Sequence, residues 1–133
     1  MDARLDPRKA LGIEIGEAHV IANGKLWPSY AKDALRSLVI SQQLLGTKGV
    51  HIVHHTDCGM LTFTKNVLQD KLRKDLGTNE GDAIDFLTFP ELESSVKDDV
   101  AFLRSSSLIL KEAKIVGLIY QIEDGKIRKV AEA

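Results

Sequence analysis

Two side chains that suit a soft metal ion lie close together near the middle of the sequence. They are His55 and Cys58, and Cys58 is the only cysteine in the chain. A thiolate and an imidazole together favour zinc, which takes sulfur and nitrogen ligands in a tetrahedral arrangement. Catalytic zinc also keeps one position open for water or substrate. The pair is therefore a candidate metal site.

A His-x-x-Cys pair alone does not define such a site, and two other interpretations stay open. In one, Cys58 is a buried free thiol beside a hydrogen-bonded histidine, since free cysteine is among the most buried residue types. In the other, Cys58 is a nucleophile whose thiolate is favoured by the positive end of a helix that begins after Gly59. No clear base and oxyanion pattern supports that reaction.

The segment that precedes the pair has the pattern of a buried strand. Val50 to His54 is apolar along most of its length, which is typical of a parallel strand covered on both faces. Neighbouring residues of a strand point to opposite faces, so His54 is not expected to be a ligand, and His51 is predicted to be structural. In parallel sheets the ligand site lies beyond the carboxyl ends of the strands, where His55 and Cys58 fall.

Apolar strands and amphipathic helices alternate along the rest of the chain. This alternation predicts an α/β fold, with a mostly parallel sheet flanked by helices and a C-terminal hairpin. Asp6 and Gly46 are suitable helix caps. The predicted elements are helices from Pro7 to Leu11, from Tyr30 to Leu45, after Gly59 as far as Leu76, and from Glu91 to Ser105; strands from Ala18 to Ala22, Val50 to His54, Lys114 to Ile122 and Ile127 to Val130; and a loop from Thr78 to Phe89.

Composition excludes several classes of protein. The 18 basic and 19 acidic residues among 133 give a net charge of −1, which provides no general attraction to nucleic acid or to anionic membranes. The opening residues are charged where a secretory signal needs an apolar run, and no stretch has the roughly 18 apolar residues of a membrane span. A single cysteine cannot form an internal disulfide. We therefore expect a cytoplasmic protein.

Five blocks of the sequence resemble the β-class carbonic anhydrases. They occur in the order of that family and at similar spacing, so the resemblance covers nearly the whole chain and is far more specific than His-x-x-Cys alone. The blocks are Met1 to Pro7, Gly16 to Ile21, Asp33 to Leu38, His54 to Met60 and Gly117 to Tyr120.

This resemblance implies a zinc enzyme that interconverts carbon dioxide and bicarbonate. His55 and Cys58 would be zinc ligands, and Asp2 and Arg4 would be the catalytic pair beside the metal. Zinc lowers the pKa of a bound water enough to supply hydroxide near neutral pH, an effect for which carbonic anhydrases are the standard example. That hydroxide would attack carbon dioxide. The family also implies a homodimer or a higher homo-oligomer. Without the resemblance, Asp2 and Arg4 are expected to belong to a frayed, solvent-exposed N-terminus.

The sequence departs from the family at two places. The first zinc-ligand cysteine of the family would precede Met1, so we expect residues 1–133 to be a single domain shortened at its N-terminus. The natural protein is then longer, or Asp2 replaces the missing ligand, or this form binds little metal. After Ile21 the family usually has Arg-Asn-Ala-Gly, where this chain has Ala22 to Lys25.

Two other functions stay open at this point. The chain could be a non-catalytic paralogue that acts through dimerisation. It could also hydrolyse a related small molecule such as carbonyl sulfide or carbon disulfide, which the same hydroxide could attack.

Overall fold

The computed structural model describes residues 1–24 and 32–133, which contain one sheet. Its strands are β1, Gly49–His55; β2, Lys114–Tyr120; and β3, Ile127–Glu132. The order in the sheet is β1-β2-β3. β1 and β2 are parallel, and β2 and β3 form an antiparallel hairpin. The predicted α/β class and the C-terminal hairpin are confirmed.

Four α-helices accompany the sheet in the described part of the chain. The predicted caps are confirmed, since Asp6 accepts hydrogen bonds from two backbone N–H groups of the first helix, and Gly46 has a left-handed φ of 77°. None of the described helices is long and apolar enough to cross a bilayer. The helices are α1, Pro7–Leu11; α2, Lys32–Leu45; α3, Lys65–Leu76; and α4, Leu92–Ser105. The predicted start of α2 at Tyr30 lies outside the described residues.

Helix α4 packs across the sheet and forms the core with it. Val96 and Leu103 on the helix and Ile115 on β2 are completely buried. The approach is close at Gly117, where an added Cβ would lie 2.6 Å from Val96 Cγ1. Because α4 also contacts β1, the helix reaches the strand that carries the candidate ligands.

The predicted strand from Ala18 to Ala22 is wrong, since residues 18–22 form no regular element. A strand needs a neighbour to exchange backbone hydrogen bonds, and no described strand runs beside this segment. Its apolar side chains are also largely exposed, with Val20 at 53%. A side-chain contact fixes the segment instead, because His19 Nδ1 lies 2.6 Å from Ser41 Oγ on α2.

The helix predicted directly after Gly59 begins later than expected. Residues Gly59–Leu61 form a short 3₁₀ turn, which Thr62 closes by donating from Oγ1 to the Gly59 carbonyl. Helix α3 then begins at Lys65, because Thr64 is its N-cap and accepts from a backbone N–H of the first turn. Two smaller differences are a 3₁₀ turn at Glu80–Ala83 in the predicted loop and the end of β2 at Tyr120.

Candidate metal centre

The end of β1 is fixed to the β2–β3 hairpin immediately after His55. The Thr56 N–H donates to the Tyr120 carbonyl at 2.9 Å. Thr56 Oγ1 donates to Glu123 Oε2 at 2.7 Å and accepts from the Ile122 N–H at 2.9 Å. Three hydrogen bonds therefore hold the first residue of the segment that connects His55 to Cys58.

The hydrogen bonding of His55 leaves one ring nitrogen available as a metal ligand. His55 Nδ1 lies 2.9 Å from the Thr56 carbonyl, which can only accept, so Nδ1 carries the proton. In the neutral ring, Nε2 then keeps its lone pair, and a histidine that ligates a metal commonly has this arrangement. Nε2 points towards Asp2, whose Oδ2 is 3.8 Å away.

Cys58 lies at the start of the short turn. It is a free, half-buried thiol, and its carbonyl accepts from the Leu61 N–H at 3.0 Å. The turn that follows has only three residues, so it does not supply the helix dipole on which the nucleophile interpretation depends.

Asp2 and Arg4 form a close ion pair beside His55. Arg4 Nη2 lies 2.7 Å from Asp2 Oδ2, Arg4 Nε lies 3.0 Å from Oδ1, and the Arg4 backbone N–H donates to Oδ1 at 2.8 Å. These hydrogen bonds hold the pKa of Asp2 well below its usual range, and the hydrogen bonds that Arg4 donates to Asp2 and then to Asp57 raise the pKa of Arg4. The Asp2 carboxylate is therefore ionised at neutral pH and has a fixed orientation.

Arg4 also binds the loop between the two candidate ligands. Its Nη1 lies 2.6 Å from Asp57 Oδ2, and its Nη2 donates to the Asp57 carbonyl at 3.0 Å. One guanidinium thus joins Asp2, which faces His55, to the residue that precedes Cys58. The structure brings Asp2, Arg4 and His55 together with the His55–Cys58 loop.

Comparison with known proteins decides the family. The family model described as carbonic anhydrase matches residues 1–127. The chain belongs to the carbonic anhydrase family. It is 35% identical over 130 residues to beta-carbonic anhydrase 1 of Mycobacterium tuberculosis, with 98% of this chain and 77% of that protein covered. It is also 31% identical over 151 residues to a carbon disulfide hydrolase of Saccharolobus solfataricus, with 97% of this chain and 73% of that protein covered.

Solved structures also place the chain in this family. The crystal structure of carbonic anhydrase from Streptococcus mutans matches with a TM-score of 0.90 and 42% identity, covering 98% of this chain and 77% of the other. Carbonic anhydrase from Glaciozyma antarctica matches with a TM-score of 0.86 and 47% identity, covering 98% and 78%. The resemblance to the β-class family inferred from the five sequence blocks is confirmed.

The donor types of His55 and Cys58 fit zinc, but their number is small. His55 offers its imidazole Nε2 and Cys58 offers a thiol, and both are preferred types of zinc ligand. Within residues 1–24 and 32–133, however, no three His, Cys, Asp or Glu side chains are grouped so that they could hold a metal ion. The carboxylate oxygen Oδ2 of Asp2 lies 3.8 Å from His55 Nε2.

His54 has a separate polar partner on α4. Its Nε2 lies 2.9 Å from Oδ2 of Asp99, a completely buried residue of α4. The ring centroid of His54 is 5.5 Å from that of Phe89. His51, also predicted to be structural, is exposed on β1.

Sequence reasoning missed the contacts that hold the loop between the ligands. The partners of Thr56 and Asp57 are Glu123 and Arg4, which are 67 and 53 positions away in the chain, so no local pattern reveals them. Asp57 has a left-handed φ of 51°. Aspartate tolerates that conformation better than most residues, and this preference was the one available signal.

Proposed function

We propose that residues 1–133 form one carbonic anhydrase domain that interconverts carbon dioxide and bicarbonate with the help of a zinc ion. His55 and Cys58 are its ligands in this proposal. The observation that carries it is the position of His55 Nε2, which lies on the side of the ring away from the Nδ1–Thr56 contact and 3.8 Å from the Asp2 carboxylate. Family membership alone would not identify these side chains.

Zinc bound at this pair would supply a Lewis acid that lowers the pKa of water. The remaining chemistry belongs to the chain. An ionised Asp2 can only accept hydrogen bonds, so it orients a water molecule beside His55 by accepting a hydrogen bond from one of its O–H groups. Arg4 keeps Asp2 ionised and fixes its direction through two N–H groups. Asp2 therefore acts as the orienting group and Arg4 holds it in place.

The third protein ligand has two candidates. Asp2 could bind the metal directly, since its Oδ2 already faces His55 Nε2. Alternatively, a cysteine before Met1, as in the family pattern, could complete the set and leave Asp2 free to orient water. Two ligands from this chain are one fewer than a catalytic zinc site normally has.

The test measures zinc per chain together with carbon dioxide hydration, for this chain and for a version extended by a cysteine-bearing N-terminal strand. We expect stoichiometric zinc and activity in the extended version. Cys58→Ser should remove most of the metal, whereas His51→Ala, which changes an exposed histidine of the same strand, should keep it. Failure of both versions to bind zinc would overturn the proposal and would leave a non-catalytic role.

A second candidate function is hydrolysis of carbon disulfide or carbonyl sulfide. It is favoured by the similarity to a carbon disulfide hydrolase, which is 31% identical over 151 residues. Parallel assays with carbon dioxide and carbon disulfide on the zinc-loaded protein separate the two functions.

The proposal extends to self-association. Helix α2 exposes large apolar side chains, with Leu44 at 76% and Leu45 at 61% exposure, and covering them with a second copy would remove that surface from water. We expect a homodimer or a higher homo-oligomer. Light scattering after size exclusion tests this, since Leu44→Glu should lower the oligomeric mass and Leu108→Glu, at another exposed leucine, should not.

A further inference from the structure

Asp57 has an unusual backbone conformation at a critical point of the loop. Its φ of 51° lies in the left-handed region, and it immediately precedes Cys58. On its other side Thr56 is fixed by Glu123, Ile122 and the backbone of β2. The torsion angles of Asp57 therefore decide where Cys58 lies relative to the fixed end of β1.

Arg4 binds both the side chain and the backbone of Asp57. The ion pair from Nη1 is 2.6 Å long, and the hydrogen bond from Nη2 to the carbonyl is 3.0 Å long. Arg4 and Asp57 are 47% and 69% exposed, so their charge attraction alone contributes little to stability. The paired contact, however, restrains the carbonyl as well as the carboxylate, and so it restrains the orientation of the peptide group that leads into Cys58.

We propose that Asp57 is a positioning residue, and that its double contact with Arg4 holds the left-handed turn that sets the position of Cys58 relative to His55. Because Arg4 simultaneously binds Asp2 through Nε and Nη2, the direction of Asp2 and the position of Cys58 are coupled through one guanidinium. The inference rests on the proposed function only in taking Cys58 as a metal ligand.

Three substitutions separate the contact from the backbone conformation. Asp57→Asn keeps an oxygen that can accept from Arg4 and tolerates the left-handed region. Asp57→Gly tolerates that region at least as well but removes the side-chain acceptor, and Asp57→Ala removes the acceptor and disfavours the conformation. Asp98→Ala, at an exposed aspartate of α4, is the matched control. Circular dichroism verifies that each variant is folded.

The first measurement needs no metal and follows the rate at which Cys58 reacts with Ellman's reagent. We expect Cys58 to react about five-fold faster in Asp57→Ala and Asp57→Gly than in the native protein, a modest change because the lost contact is exposed to solvent. In Asp57→Asn and Asp98→Ala, the rate should stay within about two-fold of the native rate. Native-like reactivity of Asp57→Gly would show that only the backbone conformation matters and would overturn the role of the contact. Equal rates in all variants would overturn the proposal entirely.

The second measurement follows the thiolate absorption of the cadmium-loaded protein. We expect weaker cadmium binding in Asp57→Ala and Asp57→Gly and rescue in Asp57→Asn. One outcome separates the two proposals. If neither the native protein nor its version with an added N-terminal cysteine binds cadmium, the metal proposal fails. If the rates with Ellman's reagent still change as expected, the positioning role of the contact between Arg4 and Asp57 is supported all the same. Native cadmium affinity in both Asp57→Ala and Asp57→Gly would contradict the positioning role.

Discussion

His54 Nε2 lies 2.9 Å from Asp99 Oδ2 and joins the end of β1 to the middle of α4. Asp99 is completely buried, and its second carboxylate oxygen has no hydrogen-bond partner among the described residues. His54 is therefore the principal polar contact of this carboxyl group. Since His54 directly precedes His55, the same contact helps to fix the strand that carries the candidate ligand.

Asp99→Ala should lower the free energy of unfolding by about 1–3 kcal/mol, because it leaves His54 without its buried partner. Asp99→Asn should lose less, since its side-chain oxygen can still accept from His54. Urea denaturation measures both effects. Asp98→Ala on the exposed side of the same helix is the control and should change stability little. Equal stability of Asp99→Ala and the control would show that the contact is unimportant.

Gly117→Ala should also destabilise the fold, by about 1–3 kcal/mol, because its Cβ would overpack the contact between β2 and α4. That atom would lie 2.6 Å from Val96 Cγ1 and 2.9 Å from Val100 Cγ2. Gly49→Ala is the matched control, since its Cβ would lie 3.5 Å from the nearest atom, an ordinary contact. The comparison uses the midpoints of thermal unfolding, and similar midpoints for the two variants would contradict the packing argument.

Glu91 should make the free energy of unfolding depend on pH. Hydrogen bonds from Ser94, through its side chain and its backbone, and from the backbone of Glu93 lower the pKa of Glu91 from 4.5 to about 2. As the pH falls below about 4.5, the unfolded chain takes up a proton before the folded chain does, so this contribution is complete above that pH and is lost as the pH approaches 2.

The variant Glu91→Gln should remove this part of the pH dependence, because it cannot ionise. Chemical denaturation between pH 2 and pH 6 measures the slope, with Glu112→Gln at an exposed position as the control. A native slope in Glu91→Gln would rule out Glu91 as the source.

Arg4→Lys should reduce kcat/KM for carbon dioxide hydration by about 10–100-fold, a loss typical for residues that orient metal ligands. Lysine is a point charge and cannot reproduce the planar set of donors that binds Asp2 and Asp57 together. Stopped-flow measurement on zinc-loaded protein checks the change, and Arg8→Lys on α1 is the control. An unchanged kcat/KM in Arg4→Lys would remove Arg4 from the catalytic machinery.

Elements whose sequence pattern depends only on neighbouring residues were predicted well, whereas an element that depends on a distant partner was not. The near-continuous apolar run of β1 and the turn residues before β3 depend on neighbouring positions, and both strands were predicted close to their observed limits. The segment from Ala18 to Ala22 has strand-like residues but lacks a neighbouring strand in the described structure, and pairing is not visible in a local pattern.

In the candidate site, too, the residues were predicted from local patterns, whereas the contacts between distant residues were not. His55 and Cys58 were predicted because their residue types and spacing are informative, and the position of His55 at the end of β1 agrees with that reasoning. The contact of His54 with buried Asp99 joins residues 45 positions apart, and the contact of Arg4 with Asp57 joins residues 53 positions apart. Only the folded chain brings such pairs together.

The most direct test of the zinc proposal is X-ray absorption at the zinc edge of the metal-loaded protein, compared with Cys58→Ser. We expect a sulfur ligand at about 2.3 Å and an imidazole nitrogen at about 2.0–2.1 Å from zinc in the native protein, with loss of one sulfur in the variant. A zinc environment without sulfur, or one that is identical in Cys58→Ser, would contradict the assignment of Cys58 as a ligand.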